Sequence, residues 1–214
     1  YIQMICCIFM GSLGNLKKFF FNIRKIYVTA EKIMRKIILQ MNMTLDGMIT
    51  GENGEMDWML WNKKLDEFAD DIIDSSDLIL LGRKTAQEFL DYWPDDKSEF
   101  ARKINECPKI VFSRTIKNIK SKSTNVSVIN ENILEEMTKI KNQSGKNIVL
   151  YGGAEIVQSF AKLDLIDEYR LVLNPVVLGG GKPLFKNEKF KLKLLKTEEV
   201  GDGCVILYYA PDRK

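Results

Sequence analysis

Three short segments carry residue types suited to holding an anionic group: Gly82-Arg83-Lys84-Thr85, Ser113-Arg114 and Gly152-Gly153-Ala154-Glu155. Each follows a short β-rich run, at Leu78 to Leu81, Lys109 to Phe112 and Asn147 to Tyr151. Where a strand turns into a helix, the first helical amides have no internal partner. Glycine then allows an oxyanion to come close, and the helix dipole adds positive potential. Ligands of open α/β sheets gather at the carboxyl ends of strands, so these segments are expected to line one crevice, and a dinucleotide has enough phosphate to use all of them. The side chains select among dinucleotides. An acidic residue at a strand end suits an unphosphorylated ribose, whereas Arg83, Lys84, Ser113 and Arg114 suit the additional phosphate of NADPH. The residues alone leave a plainer alternative open, because a Gly-Arg-Lys-Thr turn or an Ala154-Glu155 start also serves simply to begin a helix.

A hydride placed on one atom of a carbon–nitrogen double bond, or on an opened sugar aminal, must be matched by a proton on the neighbouring atom, and a carboxylic acid in a dry pocket can deliver it. Asp46, in Leu45-Asp46-Gly47, is the first candidate, although an aspartate before glycine also organises turns. Asp57 is the second. Its neighbour Trp58 offers an aromatic wall for a planar ring and is a candidate substrate contact, or equally a core residue.

Composition narrows the chemistry further. The 214 residues include no histidine, which removes the usual triads, the cysteine–histidine pair and histidine-liganded hydrolytic metals. No metal site is expected. Cofactor-borne hydride transfer survives this exclusion, since the protein need only bind, orient and supply a proton. The cysteines (Cys6, Cys7, Cys107, Cys204) show no C-x-x-C spacing and fit reduced thiols in a cytoplasmic protein. A net charge of +3, from 32 basic and 29 acidic side chains, is too small and too dispersed for a nucleic-acid footprint.

The elements that must position these residues alternate from residue 35 onward. Ile37 to Met41 reads as a buried strand, followed by a glycine-bearing loop over Thr44 to Asp57. Leu65, Phe68, Ala69, Ile72 and Ile73 recur at helical spacing, with Asp66, Glu67, Asp70 and Asp71 on the solvated face. Thr85 to Leu90 reads as a helix, Val126 to Ile129 as a strand, and Ile133, Leu134, Met137 and Ile140 as a helix stripe. Ile156, Val157, Phe160 and Ala161 mark another helix. The last third, with strands over Glu168 to Leu173, Leu192 to Glu199 and Val205 to Ala210, closes in a hairpin at Gly201-Asp202-Gly203. The expected class is therefore α/β: a mixed sheet flanked by helices, with antiparallel strands at its C-terminal end.

Residues 1 to 33 differ from the rest. Ile2 to Leu16 is largely apolar, and Lys17, Lys18, Arg24 and Lys25 follow it. A signal peptide has its charge before the apolar core, and a span needs about 20 apolar residues, so neither pattern fits. The expectation is an upstream extension outside the fold, with a peripheral membrane anchor as the alternative and no stable membrane insertion.

Five motifs occur in the order of the dihydrofolate-reductase-like superfamily: Met43-Thr44-Leu45-Asp46-Gly47-Met48-Ile49, Leu80-Leu81-Gly82-Arg83-Lys84-Thr85, Ile110-Val111-Phe112-Ser113-Arg114, Tyr151-Gly152-Gly153-Ala154, and Leu178-Gly179-Gly180-Gly181-Lys182-Pro183-Leu184-Phe185. Over residues 34–214 the chain resembles the C-terminal reductase domain of the bifunctional riboflavin deaminase-reductase and its stand-alone relatives. The resemblance implies a dihydrofolate-reductase-like fold and NADPH as cofactor. It also implies a pyrimidine or pteridine-like substrate, as in 5-amino-6-(5-phosphoribosylamino)uracil reductase, and a homodimer joined through the late antiparallel strands. By the same resemblance, Gly82, Arg83, Lys84 and Thr85 hold cofactor phosphates, Ser113 and Arg114 meet the ribose phosphate, and Gly152, Gly153, Ala154 and Glu155 open the pyrophosphate helix. Members of this branch commonly place an acid before the paired glycines. This chain has Tyr151, a candidate substrate contact that keeps a hydrogen-bonding tip without the charge. Dihydrofolate reduction and a catalytically inactive nucleotide-binding module stand as alternatives.

Overall fold

Ile37-Ile38-Leu39 is apolar at consecutive positions, so as a strand it must be covered on both faces and belongs inside a sheet. The computed structural model, which describes residues 34–119, 121, 125–186 and 189–213, puts it there. The extension expected over residues 1 to 33 lies outside the described residues. The chain from residue 35 runs β1 (Ile37–Thr44), β2 (Met48–Thr50), α1 (Lys63–Asp74), β3 (Ser76–Gly82), α2 (Arg83–Tyr92), α3 (Glu99–Glu106), β4 (Lys109–Phe112) and β5 (Val126–Ile129). It continues through α4 (Ile133–Lys141), β6 (Asn147–Leu150), α5 (Ala154–Lys162), β7 (Glu168–Asn174), β8 (Lys182–Pro183), β9 (Leu192–Gly201) and β10 (Cys204–Pro211). The main sheet has the order β5-β4-β3-β6-β1-β7-β10-β9. Its first six strands are parallel, and β10 runs antiparallel to both β7 and β9.

Side-chain alternation divides the apolar residues between two faces. Leu39, Leu80 and Leu150 pack with Val157 and Phe160 of α5 and Met137 of α4. Ile79, Leu81, Val149 and Val172 pack with Leu65, Phe68 and Ile72 of α1 and with Ala86 and Leu90 of α2. Each such side chain stabilises the fold by about 1.5–3 kcal/mol when fully buried, so both layers are held by many small contributions. The wound part fixes the carboxyl ends of β3, β4, β5 and β6 along one rim of the sheet.

The structure extends several expected elements. β1 continues three residues past Met41 because Asn42, Met43 and Thr44 pair with β7, as far as Thr44 opposite Asn174. The loop after it contains β2, which pairs with β8 in a separate two-stranded sheet. The helix expected from Thr85 begins two residues earlier, so Arg83 and Lys84 join Thr85 in the first turn of α2. α3, not anticipated, starts from a Ser98 cap and carries Arg102 between Glu99 and Glu106. The expected hairpin turns at Gly201-Asp202-Gly203, all three residues with positive φ (90°, 53° and 77°).

Candidate functional site

The carboxyl ends of β3 to β6 surround a cleft of about 380 Å³ that contains residues of all three anion-holding segments: Gly82 to Thr85, Ser113 with Arg114, and Gly153 with Glu155. The helices that begin beside it have open N-termini. α2 starts from Gly82, α5 from Gly153 and α4 from Asn132, and none has a side-chain cap bond. The helices that begin elsewhere are capped. Asn62 accepts from Leu65 N–H at 3.1 Å at the start of α1, and Ser98 accepts from Ala101 N–H at 3.1 Å at the start of α3. Amides that other helices satisfy internally are thus left available where the three segments meet.

Glycine is required here by close approach. Gly82 N–H donates to Gly152 O at 2.8 Å, which locks the ends of β3 and β6 together. A Cβ on Gly82 would stand 3.1 Å from Ile156 Cγ2, and one on Gly153 would stand 3.0 Å from Thr85 Oγ1. Gly152 has φ +95°, and a Cβ there would fall 2.3 Å from Met41 Cε. Gly152 and Ala154 do not line the cleft; Gly152 shapes the backbone turn, and Ala154 packs its methyl into the core.

Arg83, Lys84, Arg114 and Lys182 line the cleft together with one carboxylate, Glu155. Glu155 stays largely in solvent, with Lys182 Nζ 4.0 Å away. Arg83, Lys84 and Arg114 make no ion pair among the described residues. Ser113 Oγ accepts from the N–H groups of Thr115 and Ile116, both at 3.2 Å, and lies 3.3 Å from the Thr115 hydroxyl, so it closes the turn from inside.

The candidate acids and substrate contacts lie outside this lining. Asp46 accepts hydrogen bonds from the Thr44 hydroxyl and from Gly179 N–H at 2.8 Å, with Leu178 N–H at 3.4 Å. These donors, the Thr44 hydroxyl foremost, hold its carboxyl below the usual aspartate range. Asp46 thereby ties the turn after β1 to the glycine-rich segment before β8. Asp57 is exposed, while Trp58 beside it is buried with its Nε1 unpartnered. Asn174 Oδ1 accepts from Leu60 N–H at 2.9 Å, which holds this loop against the end of β7. Tyr151 presents its ring to Phe89 at 5.8 Å between centroids, and its hydroxyl is buried without a partner. Burial pushes that phenol well above its ordinary value, so it stays neutral and keeps its proton. Asn42 Oδ1, on β1, is likewise buried and unpartnered.

A profile of the RibD C-terminal domain matches residues 35–206. The chain belongs to that family. Uncharacterized protein YyaP of Bacillus subtilis (strain 168) is 40% identical over 186 residues, which cover 82% of this chain and 94% of YyaP. A Shewanella sp. PV-4 protein ascribed to riboflavin biosynthesis superposes with a TM-score of 0.71 at 25% identity, covering 83% of this chain and 99% of that one. Dihydrofolate reductase from Enterococcus faecalis, solved with NADP(H) and RAB-propyl, gives a TM-score of 0.58 at 14% identity, covering 83% and 97%. The fold is thus the dihydrofolate-reductase-like fold of the RibD reductases.

Within this RibD-type domain the cleft also contains Thr115, Asn130, Ser159 and Lys182, none of which the sequence reading had assigned a role. Lys182 lies inside the last of the five family motifs and follows three glycines, a pattern that brings a cation to a tight turn. Asn130, one residue past β5, had the same strand-end position as the assigned residues. Thr115 and Ser159 carried no signal, because their approach depends on tertiary packing. Among the described residues no cluster of cysteine or carboxylate side chains is placed to hold a metal ion. No described helix is long and apolar enough to cross a membrane.

Proposed function

We propose that this RibD-family protein is an NADPH-dependent reductase acting on a carbon–nitrogen bond of a pyrimidine or pteridine-like heterocycle. The observation that carries the reading is the convergence of uncapped helix starts and unpaired cations on one cleft. The residues present fit the cofactor: glycines stand where a Cβ would collide, amides are open, and Arg114 and Ser113 stand ready for a ribose phosphate. When bound, NADPH supplies the hydride. The chain's own part is to bind, orient and exclude water. Gly153 and the α5 amides take pyrophosphate oxygens, Thr85 and Arg83 take those on the α2 side, and Arg114 selects the phosphorylated ribose.

Tyr151 and Trp58 stay the candidate substrate contacts, each with a buried polar atom, a hydroxyl and an indole N–H, that lacks a partner. Asp46, held ionised as an acceptor, is unsuited to donate a proton. That leaves Asp57, exposed beside the buried Trp58, as the candidate acid. The exposed Leu194 and Leu195 on the edge strand β9 suit a homodimer contact, and the free Cys107 and Cys204 thiols suit the cytoplasm.

Fluorescence titration of the purified chain with NADPH and NADH tests the cofactor assignment. NADPH binds more tightly, and Arg114→Glu abolishes the difference. Equal affinity for both would remove the argument from the basic strand ends. Binding without NADPH oxidation across pyrimidine and pteridine substrates would favour a binding module over an enzyme.

A further inference from the structure

Arg114 is exposed and has no ion pair among the described residues, so the turn that carries it sets where its side chain starts. That turn, Ser113 to Ile116, is closed from inside by Ser113 Oγ. From outside, Asn130 bridges its two ends. Asn130 Nδ2 donates to Ser113 O at 2.8 Å and to Ile116 O, so a single amide spends both protons on the two ends of the turn. The backbone places Asn130 for this purpose. Ser113 N–H donates to Ile129 O at 3.1 Å, which extends the parallel β4–β5 pairing by one step and brings the next residue of β5 against the turn. Asn130 is also a lining residue of the cleft.

We infer that Asn130 is a positioning residue for cofactor selection: by fixing both carbonyl ends of the Ser113–Ile116 turn, it aims Arg114 at the phosphate that distinguishes NADPH from NADH. This rests on the dinucleotide reading of the cleft. Asn130 acts through Arg114, so its removal leaves NADH, which lacks that phosphate, almost unaffected.

The experiment is a two-residue cycle with Asn130→Leu, which keeps similar bulk without donors, Arg114→Ala, and the double variant. NADPH and NADH dissociation constants are measured on the full chain by fluorescence, with thermal melting alongside. Asn130→Leu is expected to weaken NADPH on the order of tenfold, the effect of losing an aligned charge-assisted contact, with NADH changed less than about twofold. The double variant is expected to match Arg114→Ala alone, since residues acting in series are not additive. If Asn130→Leu fails to fold, Asn130→Ser, whose single hydroxyl proton can serve at most one of the two carbonyls, is expected to give a smaller loss of the same kind, confined to NADPH. Equal weakening of both cofactors, or losses that add in the double variant, would show a merely structural asparagine and overturn the inference. A wild-type chain that binds neither dinucleotide overturns the cofactor reading and this inference with it, whereas a wild type that prefers NADPH while Asn130→Leu retains the preference overturns only the inference.

Discussion

Replacing Gly153 with alanine separates stability from binding at the centre of the cleft. Its backbone, φ −77° and ψ −175°, lies in the extended region that any residue adopts. The added methyl meets Thr85 Oγ1 at 3.0 Å, the movable tip of a side chain, and the expected loss of stability is below about 1 kcal/mol. The same methyl stands between the starts of α2 and α5, where phosphate oxygens must approach. Displacing them from one or two amides is expected to cost about 1.5–3 kcal/mol of binding, roughly a 10- to 150-fold rise in the NADPH dissociation constant. Gly152→Ala is the contrast. There φ is +95° and the methyl would fall 2.3 Å from Met41 Cε, so about 1–3 kcal/mol of backbone strain and a displaced core side chain lower the melting temperature. Thermal melts with NADPH titration of both variants make the comparison. A Gly153→Ala protein that binds NADPH as the parent does would refute the placement of phosphate between these helices.

Other consequences follow from single side chains. Asp46→Asn, which keeps an acceptor for Gly179 N–H, is expected to retain most turnover, while Asp46→Ala loosens residues 178–181 to protease; equal inactivation of both would restore Asp46 as a proton donor. Because the Asp46 carboxyl is held low, its ties are complete at neutral pH and are lost only as pH falls through and below the ordinary carboxylate range, so any limb in the rate profile between about pH 5 and 8 must belong to another group. Lys109, 2% exposed, donates to Ile104 O at 2.7 Å, a carbonyl that Pro108 cannot serve, so Lys109→Met is expected to cost about 1–3 kcal/mol in urea unfolding. Burial lowers its amine from 10.5 to about 8; the unfolded chain therefore takes up the proton first as pH falls, and wild-type stability should rise with pH across that interval, a rise absent from the Met variant. Tyr151→Phe removes a hydroxyl with no internal partner, so unchanged stability with turnover down about tenfold is expected, and unchanged turnover would place the substrate elsewhere.

Much of the wound half could be read from apolar runs and periodic stripes. β4 was expected over Lys109 to Phe112 and has those bounds, because all four residues are buried and a lysine alone interrupts the pattern. α3 was not foreseen, since its buried residues are only Ala101 and Ile104; the Ser98 cap and the Glu99, Arg102 and Glu106 ladder were the available clues. β2 and β8, three and two residues long, are too short to show any period. At the site, strand-end glycines and cations were readable because phosphate binding depends on local backbone geometry. The partners of Asp46 were not, because Gly179 lies 133 positions away and the carboxylate's role depends on that contact. Asn130 escaped for the same reason: its two carbonyl partners lie 14 and 17 residues upstream.

Hydrogen–deuterium exchange on the intact chain, with and without saturating NADPH, tests most directly whether the three strand-end segments serve one ligand. Slowed exchange is predicted together in the peptides spanning residues 82–86, 113–116 and 153–157, with a shared dependence on NADPH concentration. Protection confined to one of these segments, or midpoints that differ between them, would contradict a single cofactor bridging all three.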